Sequence, residues 1–252
     1  MGILKKLIFP PRCAACRCLV PFDGAGGEQA LCRDCRGEWE LEKLVRCPDC
    51  RRAMIDCRCM PDMIRNAGCA GLVRLVSYDS DRPESTVNRA TNNLKRIKDA
   101  DAFDFFASQL LLPIQNRLDE FELDMADMTV TFCPRRRSAV REHGFDQAEQ
   151  LAKSLAALGG AEFETLLLRR RFIFEREQKH LTAAERLQNA GQAVRLTKAG
   201  RQAAGKRVIL IDDVVTTGAT FSACADLLRL AGVQLVIGAC IAVAVRKPRG
   251  VD

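Results

Sequence analysis

Residues Arg207 to Thr220 read R-V-I-L-I-D-D-V-V-T-T-G-A-T. Val208 to Ile211 are four apolar residues in a row, three of them β-branched. Such a run suits a parallel strand buried on both faces. Asp212 and Asp213 fall where that strand is expected to end. A small, hydroxyl-rich turn follows, Thr216-Thr217-Gly218-Ala219-Thr220, and an apolar helical pattern begins near Phe221. A strand, a turn rich in backbone N–H groups and a helix N-terminus together form an anion site. In open α/β sheets, ligands bind at the carboxyl ends of strands. The two carboxylates add acceptors for sugar hydroxyls, or ligands for a divalent cation.

Working outward, strands are expected at Gly71–Tyr78, Met128–Cys133 and Gln234–Val245. Helices are expected over Pro83–Lys98, over Asp101–Leu118 with a break or kink near Pro113, and over Asp146–Leu158. In the last, Ala148, Leu151, Ala152, Leu155 and Leu158 recur at helical spacing. Strands alternating with helices predict an α/β fold with a parallel sheet. Gly200–Lys206, G-R-Q-A-A-G-K, superficially fits a nucleotide-binding P-loop. That motif must follow a strand, open a helix and carry Ser or Thr after its Lys. Here Arg207 follows and a strand begins, so the match is rejected.

The chain has 252 residues, which suits one medium α/β domain with a small appendage, and its 48% hydrophobic content excludes wholesale disorder. No apolar run approaches bilayer-spanning length. The first residues carry Lys5 and Lys6 but neither a long apolar segment nor a small-residue cleavage site. A cytoplasmic protein is expected.

Ten of the thirteen cysteines precede residue 70, and eight of those form close pairs: Cys13/Cys16, Cys32/Cys35, Cys47/Cys50 and Cys57/Cys59. Each pair can sit on a tight turn, and two turns can share one tetrahedral ion, as in zinc ribbons. Two structural zinc sites are expected, with all four positions filled in each. Spacing alone leaves open which pairs share an ion. Redox thiols are the weaker reading, because a thioredoxin-like context is lacking. Cys18 and Cys69 read as small semi-buried side chains. Two four-thiolate zinc sites lower the formal charge from +7 to +3, so total charge argues little for nucleic acid. The expected division is a cysteine-rich head, 1–66, and an α/β domain, 67–252.

Arg169, Arg170, Arg171, Arg176 and Lys179 enclose Phe172 and Phe174. Such a cluster can stack on single-stranded bases while its cations meet phosphates. It also reads as a strand with a solvated basic face and buried phenylalanines. Arg135, Arg136, Arg137 and Arg141 suit a pyrophosphate site better than a duplex. His143 and His180, the two histidines, read as surface or loop residues.

The D-D pair followed after two residues by T-T-G-x-T resembles the signature of type I phosphoribosyltransferases. That resemblance implies a parallel sheet flanked by helices. It also implies a loop, Thr216–Thr220, holding the 5′-phosphate of phosphoribosyl pyrophosphate, and an acidic pair, Asp212 and Asp213, addressing the ribose with Mg²⁺. Two further stretches are similar to the ComF family. Arg141–Gln147, R-E-H-G-F-D-Q, resembles R-x-R-G-F-N-Q, and Gln178–Asn189 resembles Q-x-x-L-[ST]-x-x-E-R-x-x-N. His143 and Asp146 stand where that family has arginine and asparagine. Of its V-P-V-P stretch only Pro134 is matched, and of L-K-Y-G-G the lysine, Lys95. With the cysteine-rich head the resemblance spans nearly the whole chain. It implies either transfer of a phosphoribosyl group to a base or amine, or a non-catalytic factor for DNA uptake in natural transformation. The second would bind single-stranded DNA and use the sugar-phosphate site as a sensor.

Overall fold

A computed structural model of the chain describes residues 10–20, 30–170 and 193–244. Five strands form one sheet: β1 (Gly71–Tyr78), β2 (Thr129–Phe132), β3 (Glu162–Phe163), β6 (Arg207–Val215) and β7 (Leu235–Ala244). Their order is β1-β7-β6-β2-β3, and every pairing is parallel. A separate antiparallel pair joins β4 (Leu167–Arg169) to β5 (Val194–Leu196).

Alternate residues of the central strands feed two cores. Ile209, Ile211, Ile237, Ala239 and Ile241 pack under α4 (Ala100–Leu118) and α6 (Gln147–Gly159), through side chains such as Phe106, Leu110, Leu151 and Leu155. Val208, Leu210, Val236 and Cys240 face the other way, toward Phe221 and Leu228 of α8 (Ala219–Leu230). Both faces are covered, which is why Val208–Ile211 of β6 and the whole of β7 are apolar. Gly238 lets α8 lie close to the sheet: a Cβ there would come within 2.6 Å of the Phe221 ring.

From β2 the chain moves outward to β3, returns to β6 on the other side of β2, and then moves on to β7, which lies between β6 and the first strand, β1. The sheet therefore has its switch point between β2 and β6. Open α/β sheets bind ligands outside the carboxyl ends of the strands at such a point.

The head packs onto this frame. In α1 (Arg33–Leu44), Trp39 is fully buried and meets Phe106 edge to face, with centroids 5.1 Å apart. Asn93, in α3 (Thr86–Leu94), donates through Nδ2 to the carbonyls of Ala14 and Ala15, at 2.7 and 2.9 Å. The short helix α2 (Asp62–Asn66) lies against α8, where Ser222 Oγ donates to the Met63 carbonyl at 3.0 Å. Among the described residues no helix is long and apolar enough to cross a membrane.

Three expectations change. Strand β6 runs on to Val215, because Val214 and Val215 keep pairing with Ala242 and Val243. Helix α4 continues through Pro113, held by buried Leu110, Ile114 and Leu118 on either side; packing outweighs the lost hydrogen bond. Helix α3 starts only at Thr86, where the Ser85 side chain caps it by accepting from the Asn88 N–H at 3.2 Å.

Candidate functional site

Asp212 and Asp213 lie within β6, three and two residues before its end. Asp212 Oδ1 accepts from the Asp213 N–H at 2.9 Å. Burial pushes the Asp212 carboxyl well above the usual range, and the neighbouring Asp213 charge pushes it further. Asp213 is 5% exposed, and its Oδ2 has no hydrogen-bond donor among the described residues. Its nearest cation is Lys95, whose Nζ stands 3.5 Å from that oxygen. Lys95 caps the C-terminus of α3, more than a hundred residues away in sequence.

The turn after β6 exposes Thr216 and Thr217, then reaches Gly218 at φ +80° as the N-cap of α8. Thr217 Oγ1 accepts from the Ala219 N–H at 3.3 Å. The next N–H groups in the first turn, from Thr220 and Phe221, have no intrahelical acceptor and lie at the positive end of the helix dipole. A Cβ on Gly218 would meet Ile64 of α2 at 3.1 and 3.2 Å. Glycine is thus required by the left-handed backbone and by the close seat of α2.

The loop after β2 reaches the same edge of the sheet. The Cys133 N–H donates to the Ile211 carbonyl at 2.8 Å, which sets residues 133–136 beside the acidic pair. Arg135 spans two elements. Its N–H donates to Asp146 Oδ2 at 2.7 Å and its Nη1 to the Lys95 carbonyl at 2.9 Å. Arg136 is exposed, and Arg137 opens α5 (Arg137–His143), whose last turn carries exposed Arg141. Arg135 is thus committed to positioning. His143, half-buried beside Glu142, has its Nε2 3.7 Å from that carboxylate.

Asp146 caps α6, accepting from the Ala148 N–H at 3.1 Å while holding Arg135. Burial raises its pKa to about 6 despite these donors. The folded form then takes up a proton below pH about 6, whereas the unfolded chain takes it up near 4. Stability from this group is full below pH 4 and declines as pH rises through 6, by up to about 3 kcal/mol. Asp146→Ala is therefore expected to cost more stability at pH 4.5 than at pH 7. Urea unfolding of both proteins at the two pH values measures this, and an equal cost at both would refute it.

The cysteines form two groups in chain order. Cys13, Cys16, Cys32 and Cys35 make one, and Cys47, Cys50, Cys57 and Cys59 the other, with sulfurs in each within 4.8 Å of one another. This settles the pairing that spacing left open. The sulfurs of Cys16 and Cys32 are 3.6 Å apart and those of Cys50 and Cys57 3.7 Å. Four thiolates at 2.3 Å from one ion are separated by about 3.8 Å, so both groups suit tetrahedral zinc. Cys18 is not semi-buried. It is exposed, with its sulfur 3.2 Å from that of Cys16. Cys69 is buried beneath the sheet with Cys133, Cys224 and Cys240.

Sequence reading missed Arg74. It sits in β1, is 5% exposed, and its Nε and Nη2 have no acceptor among the described residues. Of the basic-aromatic cluster, Arg169 ends β4, and the Arg170 N–H donates to the Ala193 carbonyl at 2.8 Å. Arg171, Phe172, Phe174, Arg176, Lys179 and the whole Gln178–Asn189 stretch, with His180, lie outside the described residues.

The parallel sheet flanked by helices, with an acidic pair and a glycine-capped loop at its switch point, is a phosphoribosyltransferase-type fold. The family model for the phosphoribosyl transferase domain matches residues 139–252, and the protein is phosphoribosyltransferase-like. No curated protein matches the chain. Among solved structures, an allosteric regulatory enzyme of purine biosynthesis overlaps at 17% identity and TM-score 0.35, covering 60% of this chain and 30% of that one. A purine phosphoribosyltransferase from Pyrococcus horikoshii Ot3 overlaps at 18% identity and TM-score 0.32, covering 55% and 74%. A hypoxanthine phosphoribosyltransferase from Staphylococcus aureus overlaps at 12% identity and TM-score 0.33, covering 59% and 75%. The matched region thus spans less than a third of the length of the first of these.

Proposed function

We propose that the protein binds phosphoribosyl pyrophosphate with Mg²⁺ at the carboxyl edge of β6 and transfers the phosphoribosyl group to a small acceptor. The observation that carries this reading is the meeting of three elements at the switch point. The acidic pair lies near the carboxyl end of β6, the Gly218-capped loop opens α8, and the loop after β2 lies alongside. The Thr216–Thr220 loop holds the 5′-phosphate through helix-terminal N–H groups. Asp212 and Asp213 take the ribose hydroxyls. Arg136, Arg137 and Arg141 approach the pyrophosphate, and Mg²⁺, which the acidic pair would help to hold, would offset its negative charge. Displacing pyrophosphate builds positive charge on the anomeric carbon, which the two carboxylates offset while the loop fixes the phosphate. Positioning and electrostatics supply the rate.

The raised pKa of Asp212 gives this reading a pH signature. The ribose and its cation favour the ionised pair, so binding opposes the upward shift that burial gives Asp212. Affinity is expected to rise with pH, with net proton release. Calorimetry over a range of pH in two buffers of different ionisation enthalpy detects this. Identical heats in both would contradict the assignment. Turnover is tested by pyrophosphate release with a panel of bases and amines.

The ComF resemblance supports a second reading, in which a ComF-type factor for DNA uptake binds single-stranded DNA near Arg170 and Arg171 and keeps the sugar-phosphate site as a sensor. The two readings separate by salt dependence. Arg170→Ala with Arg171→Ala lowers the salt slope of DNA binding by up to about 0.7 per lost phosphate contact. Changes at the acidic pair leave DNA affinity intact.

A further inference from the structure

The two cysteine groups are built on one repeated turn. Arg12–Leu19, R-C-A-A-C-R-C-L, and Arg46–Ala53, R-C-P-D-C-R-R-A, align without a gap. Arg12 bridges to Leu19 and Arg46 to Ala53, both antiparallel. The Cys13 N–H donates to the Cys18 carbonyl and the Cys47 N–H to the Arg52 carbonyl, each at 2.8 Å. Arg17 and Arg51 both take the left-handed region, at φ 65° and 62°. Arg12 Nη1 donates to the Arg17 carbonyl at 3.1 Å, and Arg46 Nη1 to the Arg51 carbonyl at 3.4 Å. The backbones match, and the difference that bears on sulfur chemistry is Cys18. It stands where the second turn has Arg52.

Cys18 is surplus to the first metal site, because Cys13, Cys16, Cys32 and Cys35 already supply four sulfurs. Yet its sulfur is 3.2 Å from that of Cys16, nearer than the Cys32 sulfur at 3.6 Å. A disulfide holds its sulfurs at about 2.05 Å, so little more than about one ångström separates this pair from a bond. Cys16 and Cys18 are both exposed, whereas Cys13 and Cys35 are buried. An oxidant in solution therefore meets this pair first. The second group has no such thiol beside Cys50: its equivalent position holds exposed Arg52, which forms no disulfide.

We infer that Cys16 and Cys18 are a peroxide-reactive pair that opens the first metal site reversibly and spares the second. The Cys16 thiolate attacks one oxygen of the peroxide. The O–O bond breaks, that oxygen stays on sulfur as a sulfenic acid, and the other takes up a proton and leaves as water. The Cys18 sulfur then attacks the Cys16 sulfur. The S–O bond breaks, and its hydroxyl leaves with the Cys18 proton as a second water. The two sulfurs have lost two electrons, which the peroxide has gained. Cys16 is then no longer a thiolate, and three of the four ligands remain. The effect reaches α3, because Ala14 and Ala15 lie inside this turn and accept from Asn93. The inference goes beyond the sugar-phosphate reading and does not depend on it.

The test treats the zinc-loaded full chain with hydrogen peroxide in the presence of a zinc-sensitive dye. About one of the two expected zinc ions per chain should be released. Peptide mapping should find Cys16 joined to Cys18, and dithiothreitol with added zinc should restore the starting protein. Cys18→Ser should still hold both ions before oxidation. In that variant dimedone should trap the Cys16 sulfenic acid at least about tenfold more than in the parent, because the thiol at contact range is gone. Four results would overturn the inference. One is a parent disulfide that leaves out Cys18. Another is loss of both ions at the same peroxide dose. The third is equal trapping in the two proteins. The last is a Cys16→Ser protein that keeps both ions while Cys18→Ser loses one, which would make Cys18 the ligand.

Discussion

Gly218→Val is expected to eliminate phosphoribosyl pyrophosphate binding and to destabilise the protein by roughly 2–4 kcal/mol. The sequence suggests that a side chain there would obstruct the bound anion. The structure supplies a different cause. The residue sits at φ +80°, and its added Cβ points at Ile64, not away from the protein. A β-branched residue resists the left-handed region, and Ile64 is fully buried. The turn must relax, and either way of relaxing disturbs the amides that open α8. Gly218→Ala separates the two contributions: it keeps the backbone strain with the smallest steric change. Thermal unfolding with calorimetry on both variants checks this. A valine variant with parent stability and parent affinity would contradict the role of the turn.

Removal of metal is expected to have the second large effect. Structural zinc contributes on the order of 10 kcal/mol to the folding of small ribbons. Here each cysteine group also buttresses one half of the candidate site. The first holds Ala14 and Ala15 against Asn93, two residues from the Lys95 that faces Asp213. The second leads through α2 to Ile64 and Met63, which seat Gly218 and Ser222. Purified protein should contain about two zinc ions per chain. Chelation should lower the unfolding temperature of the whole protein, since Trp39 and Phe106 share one core. It should also weaken phosphoribosyl pyrophosphate binding at least about tenfold, a loss of some 1.4 kcal/mol. Cys32→Ser and Cys57→Ser report on the two groups separately. A folded, disulfide-bonded head without metal, with unchanged ligand affinity, would refute this account of the cysteines.

How much of this was legible in the chain depends on the range of the interaction. Val208–Ile211 announce a buried strand through β-branching, and T-T-G-A-T announces a glycine-capped turn. Both signals are local. The extension of β6 to Val215 was not legible, because it depends on β7 continuing alongside. Asp146 as a helix cap follows from its position before an apolar repeat, but its grip on Arg135 joins two elements across a loop. Lys95 facing Asp213 and the separation of the cysteines into two groups are long-range facts that spacing cannot decide. Arg74 is the instructive case. In G-L-V-R-L-V-S-Y an arginine reads as a solvent-facing position of an alternating strand. A parallel strand covered on both sides has no such face, so the side chain is buried, at 5% exposure.

The central claim, that the carboxyl edge of β6 holds a sugar phosphate, is tested most directly by calorimetric titration of zinc-loaded protein with phosphoribosyl pyrophosphate and Mg²⁺. Asp212→Asn with Asp213→Asn serves as the comparison. The account predicts saturable one-to-one binding by the parent protein, and a loss of roughly a hundredfold or more in the double variant, as expected when two hydrogen bonds to charged groups disappear. Absence of binding by the folded, metal-loaded parent, or equal affinity in the two proteins, would contradict it.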